Sequence, residues 1–234
     1  GAILWGASFP LALAAVGTRD ADPGVVVGTT YAANTVGAIA GSLLGSLFLI
    51  PSFGTQFSQR LLIVTAAAAA LLMLVYRPTS DARAIRWSGN VTSVLLAVVF
   101  VTGWLVTTVI PVPPILVGYG RFVARRINNH GEFIYSGEGM NSSMAVSQLS
   151  NGVLNYHNAG KVQASSEPQD MRLQRMLGHM ATLLPAQAPS RVLVIGCGAG
   201  VTAGSVSIDP RLTHEVIAEI EPLVPAVVSK FFSE

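Results

Sequence analysis

The stretch RVLVIGCGAGVTAGSVSIDPRLTHEVIAEIE, Arg191 to Glu221, decides how the rest of the chain is read. Val192 to Ile195 is a short apolar run of the kind a buried parallel strand requires. It leads directly into Gly196, Gly198 and Gly200, alternate glycines that suit a tight turn from strand to helix. Glycine serves such a turn in two ways. It accepts backbone angles that other residues resist, and it leaves no Cβ in the way of a nucleotide lying on the main chain. The helix that follows points its amide N–H groups over the loop. A second strand-like run, Glu215 to Glu221, sets Glu219 nineteen residues after Gly200. A carboxylate at a strand tip can accept both hydroxyls of a ribose. Strand, glycine turn, helix, strand and acid in that order point to a nucleotide-binding fold. The plainer alternative is a glycine turn that serves only close packing of helix on strand.

The dinucleotide fingerprint spaces its glycines G-x-G-x-x-G, whereas this turn reads G-x-G-x-G. The variant resembles the first motif of S-adenosylmethionine-dependent transferases, which bind a nucleoside rather than a pyrophosphate. An adenosyl-sulfonium ligand is therefore expected in preference to NAD.

Composition divides the chain. Of its 234 residues 51% are apolar and only 11% are charged, against about 25% charged in soluble domains. Residues 1–120 hold nearly all the long uncharged runs and read as a membrane domain, while residues 121–234 have ordinary soluble composition. A net charge of +2, with no basic stripe interleaved with aromatics, argues against nucleic acid as a partner. The single cysteine, Cys197, lies inside the glycine turn and reads as a small packing residue. His130, His157, His179 and His214 show no metal-ligand spacing, so no metal is expected.

In the front half about four transmembrane helices are expected. Residues 1–18 form an apolar run with Pro10 as a kink, closed by the polar Arg19, Asp20 and Asp22. No charge then occurs from Pro23 to Gln59. Within that run Ala33, Gly37, Gly41 and Gly45 recur every fourth residue, which puts small residues on one helix face and suits close helix packing. A substrate path near Asn34 is the functional alternative, with no intramembrane charge to accompany it. Leu61 to Tyr76 reads as a third span, Arg77 to Asn90 as a polar loop, and Val91 to Ile110 as a fourth span ended by Pro111, Pro113 and Pro114. Four separate runs do not fit a signal peptide. Arginines balance on the two sides, so charge does not orient the spans. A cytosolic nucleoside ligand implies that the C-terminal half is cytoplasmic.

From Glu132 the pattern becomes that of strands. Phe133–Tyr135, Met144–Val146, Val153–Tyr156 and Lys161–Ser165 are short strand-like runs separated by Gly-, Ser- and Asn-rich turns, and they predict a small antiparallel β-sheet domain over 121–166. Pro168 opens a helix running to about Leu184, with Met171, Met176, Leu177 and Met180 on its expected core side. Residues 167–234 then form an incomplete Rossmann-like α/β domain. Gly1 opens inside an apolar run, and Glu234 follows a helix that should lead to a third strand. A piece of a longer protein is therefore expected.

The run NAGKVQASSEPQDMRLQRMLGHMATLL, followed by VLVIGCGAG and AEIEP, resembles the polyamine aminopropyltransferases, the spermidine synthase family. YSGEG and its small sheet are similar to that family's N-terminal β-domain, and YAANTVGAIAGSLLGS in the front half resembles its bacterial multi-pass membrane form. The resemblance implies that Gly196, Gly198 and Gly200 line the nucleoside, that Glu219 holds its ribose and that Ile220 lies near the adenine. It further implies that Gln163 and Gln174 face the active-site cleft. The ligand implied is S-adenosylmethionine or its decarboxylated form. A small-molecule amine is the implied acceptor, membrane lipid the surroundings, and a homodimer the assembly, in the bacterial inner membrane. The departures from the pattern are Ala199, where an aspartate usually holds the aminopropyl amine, Leu173 in place of a tyrosine, and Arg175 in place of an acid. The catalytic aspartates are expected after Glu234. Spermidine-type aminopropyl transfer leads, a methyltransferase is the alternative, and a transporter component with a degenerate nucleotide domain is the reading from another class.

Overall fold

The computed structural model describes residues 2–17, 22–75, 89–128 and 131–232. The expected loops carrying Arg19 and Asp20, and Arg77, Arg83 and Arg86, lie outside the described residues. The chain divides into two compact units, residues 1–48 and 49–234.

In the first unit, α1 is Ala2–Val16 and α2 is Pro23–Leu44. Asp22 caps α2 by accepting from the Gly24 N–H at 2.8 Å, and Pro23 fills the first turn, where its missing donor costs nothing. Phe9 of α1 meets Tyr31 of α2 edge to face at 5.9 Å. Nothing lies within 4 Å of where a Cβ would stand at Gly37 or Gly41, so the small-residue face of α2 is open.

A π-helical turn, Gly45–Leu49, follows α2, and in the second unit α3 is Ile50–Val75 and α4 is Gly89–Thr108. Among the described residues one segment, Pro23–Leu74, is long and apolar enough to cross a membrane, where four had been expected. Gly6–Val16 and Thr92–Thr108 are apolar but shorter. The boundary expected between Gln59 and Leu61 is also absent, because α3 runs through Arg60. The charge is met by the end of α4: the Arg60 guanidinium donates to the Val109 carbonyl at 3.1 Å, beside the Gln56 amide at 2.9 Å. The helix breaks instead at Gly54, where φ is 79° and ψ 169°. Glu138 from the following sheet caps that break, accepting from the Thr55 N–H at 2.6 Å and from the Thr55 hydroxyl.

The antiparallel sheet is a four-stranded meander in the order β1-β2-β3-β4: β1 Glu132–Glu138, β2 Ser143–Gln148, β3 Leu154–Asn158 and β4 Lys161–Ser165. Both of its faces are covered. On one face Met144, Val146, Tyr156 and Ala164 join a cluster with Cys197, Val201, Val224 and Val228. On the other lies the short helix α5, Pro114–Tyr119, against His157. The buried His157 ring donates from Nδ1 to the Gly118 carbonyl at 2.9 Å and accepts at Nε2 from Ser147 Oγ at 2.8 Å. A Cβ on Gly118 would stand 2.7 Å from the Phe133 ring, so a larger residue there would push that ring aside.

Helix α6, Pro168–Leu183, leads to β5, Arg191–Ile195, then α7, Val201–Ser207, β6, His214–Ala218, and α8, Leu223–Phe231. β5 and β6 pair in parallel, Arg191 with His214 through Ile195 with Ala218. Of the four residues expected on the core side of α6, Met171 packs against the apolar cluster, whereas Met176, Leu177 and Met180 are exposed, and the buried positions are Gly178 and Thr182. α7 comes too close for a large side chain, since a Cβ on Gly178 would stand 2.6 Å from the Thr202 carbonyl oxygen.

Candidate functional site

The turn between β5 and α7 adopts left-handed backbone at all three glycines, with φ 85° at Gly196, 54° at Gly198 and 83° at Gly200. Two backbone bonds close it, Gly196 N–H to the Ala218 carbonyl at 2.8 Å and Gly200 N–H to the Cys197 carbonyl at 2.9 Å. The intervening side chains, Cys197 and Ala199, turn inward to the apolar cluster. On the opposite side nothing lies within 4 Å of where a Cβ would stand at Gly196 or Gly198. The turn therefore presents bare main chain to open space. Burial pushes the Cys197 thiol up, and the Glu219 charge adds to this, so it stays a protonated packing group.

β6 ends at Ala218, three residues short of the expected Glu221, because Glu219 leaves the ladder to reach back to the turn. Its Oε2 accepts from the Cys197 N–H at 2.7 Å and its Oε1 from the Glu221 N–H at 3.0 Å. Each carboxylate oxygen carries two lone pairs, so one acceptor position on each remains for another donor. Ile220 next to it is exposed, and its carbonyl accepts from Asn141 Nδ2 at 2.6 Å.

The two glutamines are not equivalent. Gln174 on α6 is half-buried; its side-chain amide donates to the Ser165 carbonyl at 3.2 Å, while its main-chain carbonyl accepts from Thr202 Oγ1 at 3.1 Å, just after the turn. It ties β4, α6 and α7 together. Gln163 lies exposed at a bulge of β4. The side-chain hydrogen bond made to the turn's own backbone comes from Glu219 rather than from either glutamine. Of the three departures from the family pattern, Ala199 is buried beneath the turn, Leu173 is exposed, and Arg175 lines a cavity of about 540 Å³ together with Cys197, Ala199 and Gly200.

Sequence reasoning passed over two groups behind the turn. Glu221 is buried, and its carboxylate accepts from the N–H groups of Asn141 at 2.6 Å, Ser142 at 3.1 Å and Leu223 at 3.1 Å. Burial alone would push this carboxyl up, but the backbone donors of Asn141, Leu223, Ser142 and Met140 outweigh it and hold the group below its ordinary value. The β1–β2 hairpin is thereby latched to the end of β6. Gly139 makes room for the latch, since a Cβ there would stand 2.6 Å from Glu221 Oε2. The second group is Tyr156, buried in the shared cluster, whose hydroxyl accepts from Asn158 Nδ2 at 3.0 Å. Burial pushes that hydroxyl up; the Asn158 bond opposes this, and the charges of Glu219 and Glu221 reinforce it. The Glu221 latch had one signal in the sequence, a second acid two residues after Glu219. Among the described residues no three His, Cys, Asp or Glu side chains gather into a group that could hold a metal.

Compared with known proteins, the chain matches no family model, and no curated protein matches it significantly. Among solved structures it is similar to the crystal structure of a spermidine synthase in complex with the transition-state analogue AdoDATO. That likeness has 22% identity and a TM-score of 0.40, and covers 44% of this chain and 34% of the other. The match thus spans about a third of the length of that spermidine synthase.

Proposed function

We propose that this chain is an adenosyl-sulfonium-dependent transferase of the aminopropyltransferase kind, anchored by its apolar front half in the bacterial inner membrane with the C-terminal half in the cytoplasm. One observation carries the reading: Glu219 is tied to the Cys197 amide inside the glycine turn, so the acid and the bare main chain form one rim. A ribose on that rim donates its two hydroxyls to the acceptor positions left on Glu219, and the adenine extends past Ile220. Gly196, Gly198 and Gly200 line the nucleoside, and Gln163 and Gln174 flank the cleft.

In the reaction an amine nitrogen attacks the carbon next to the sulfonium. The new N–C bond forms as the C–S bond breaks, its electron pair goes to sulfur, and methylthioadenosine leaves while the amine gives up a proton. The sulfonium supplies the activation, so alignment and proton removal are the protein's share. A homodimer is the assembly proposed with this activity. Ala199 and Arg175 support a second reading, methyl transfer from the same nucleoside, because neither offers a carboxylate to a cationic amine.

The test is incubation of the purified chain with either adenosyl donor and a panel of polyamines. Amine-dependent release of methylthioadenosine is the expected result. Release of S-adenosylhomocysteine with a methylated amine would select the second reading. Polyamine movement across vesicles with no nucleoside bound would overturn both in favour of transport.

A further inference from the structure

We propose that the basic segment 120–127, with Lys161 beside it, is a docking surface for the anionic phospholipid headgroups of the bilayer. The inference rests on the membrane anchoring proposed above and not on the nucleoside reading.

After α5 the chain makes a 3₁₀ turn, Gly120–Arg125. Arg121, Arg125 and Arg126 are exposed along it and just beyond, and with them the apolar side chains Phe122, 41% exposed, and Ile127, 60%. Arginines among exposed apolar side chains in one short segment suit a membrane interface. The apolar groups enter the headgroup layer while the charges meet its phosphates. The Arg121 guanidinium lies 4.9 Å from the Phe122 ring centre, and that of Arg126 lies 5.5 Å from the centre of the Tyr119 ring. Among the described residues no ion pair holds any of the three arginines. From residue 82 to residue 131 the chain has no Asp or Glu.

The topology brings this segment to the end of the sheet where the apolar helices attach. β1 ends at Glu138, whose carboxylate caps the break of α3, and α3 packs on α4. The antiparallel register puts Glu138 opposite Ser143, Met144 opposite Asn158, and Asn158 opposite Lys161. Glu138 and the β3–β4 turn therefore share one end of the sheet. Gly120 packs on that turn, since a Cβ there would stand 3.2 Å from the Gly160 Cα. The start of the basic segment and the exposed Lys161 thus lie at the end where α3 and α4 join, helices whose outer sides carry the exposed Leu62, Leu72, Phe100 and Trp104. The acids at that end are committed: Glu138 to Thr55, and the buried Glu221 to the amides of the β1–β2 hairpin. Glu132, Glu167 and Asp170 belong to the opposite end. Positive charge is left unanswered beside the apolar helices, and the cytoplasmic leaflet supplies the negative surface that complements it.

The experiment places the full chain in nanodiscs of phosphatidylglycerol or of phosphatidylcholine and follows amide hydrogen exchange of residues 120–127 by mass spectrometry. Each arginine at an anionic surface favours the docked state about fivefold, so exchange is expected to be at least about tenfold slower in the phosphatidylglycerol discs. The difference should shrink at about 1 M salt, where charges are screened within about 3 Å. Arg121→Gln combined with Arg125→Gln should remove most of it, with exchange in β2 and β3 unchanged as the check on folding. Arg191→Gln, which removes an exposed charge on β5, should leave it in place. Equal exchange in the two kinds of disc overturns the proposal and leaves the membrane anchoring standing. A difference that survives the double variant also overturns it. So does slowing of equal size in both lipids that grows with the number of chains per disc, which would give the segment to a second copy. A chain that enters neither kind of disc overturns the anchoring as well.

Discussion

The antiparallel sheet and the parallel pair lie in one compact unit and are both rich in apolar residues, yet their environments are opposite. Met144, Val146 and His157 are fully buried, whereas Leu193 is 59% exposed and Ile195 83%. The antiparallel sheet has a neighbour on each face, α5 on one and the cluster of the glycine turn, α7 and α8 on the other. β5 and β6 have a neighbour for part of one face. A parallel pair is stable when both faces are covered, so side-chain pattern alone does not decide burial. The functional consequence is a division of labour. A sheet covered on both faces holds the back of the turn, and the side of the turn that would meet a ligand stays open.

The largest expected effect comes from cutting the bond between these regions. Glu221→Ala leaves the Asn141, Ser142 and Leu223 amides without their buried acceptor and should cost about 3 kcal/mol, read by urea denaturation. The same latch has a pH signature. Because the folded carboxyl titrates below its ordinary 4.5, its contribution is present above that pH and is lost as pH falls through the folded value. Stability that stays flat from pH 5 downward would mean the two regions are held by apolar contacts alone.

A smaller effect belongs to the covered face of the sheet. Burial, with the Arg126 charge adding to it, holds His157 below its ordinary 6.5, and the Gly118 carbonyl only partly offsets this. Below pH 6.5 the unfolded chain takes up a proton that the folded chain refuses, so stability falls with pH, no more steeply than about 1.4 kcal/mol per unit. His157→Gln should flatten that part of the profile whatever its own stability. The smallest effect is expected on the open pair: Ile195→Thr should change stability by no more than about 0.5 kcal/mol, because the side chain is already in solvent. A cost of several times that figure would show the pair to be covered in solution.

The strands of the meander, the glycine turn and the acid after it were legible in the sequence because each depends on local chemistry: apolar runs, turn residues and the backbone freedom of glycine. Three features were not, and each has a partner far along the chain. Arg60 looked like the end of a span because a charge is costly in an apolar helix, but the Val109 carbonyl, 49 residues on, receives it. The real break at Gly54 is held by Glu138, a residue of the sheet. Glu221 looked like part of a strand, and its donors Asn141 and Ser142 lie 80 and 79 residues upstream. Met176, Leu177 and Met180 of α6 misled for a different reason, while Met171 does pack on the cluster. Periodicity identifies an apolar face but not what packs on it, and the neighbour α7 required the small side at Gly178.

The central claim is that Glu219 and the glycine turn form one nucleoside rim. It is tested most directly by calorimetric titration of 5′-methylthioadenosine into the unaltered chain and into Glu219→Gln. A micromolar complex that weakens about tenfold or more in the variant, with the unfolding midpoint unchanged, is the expected result. Equal affinity in the two proteins would contradict it.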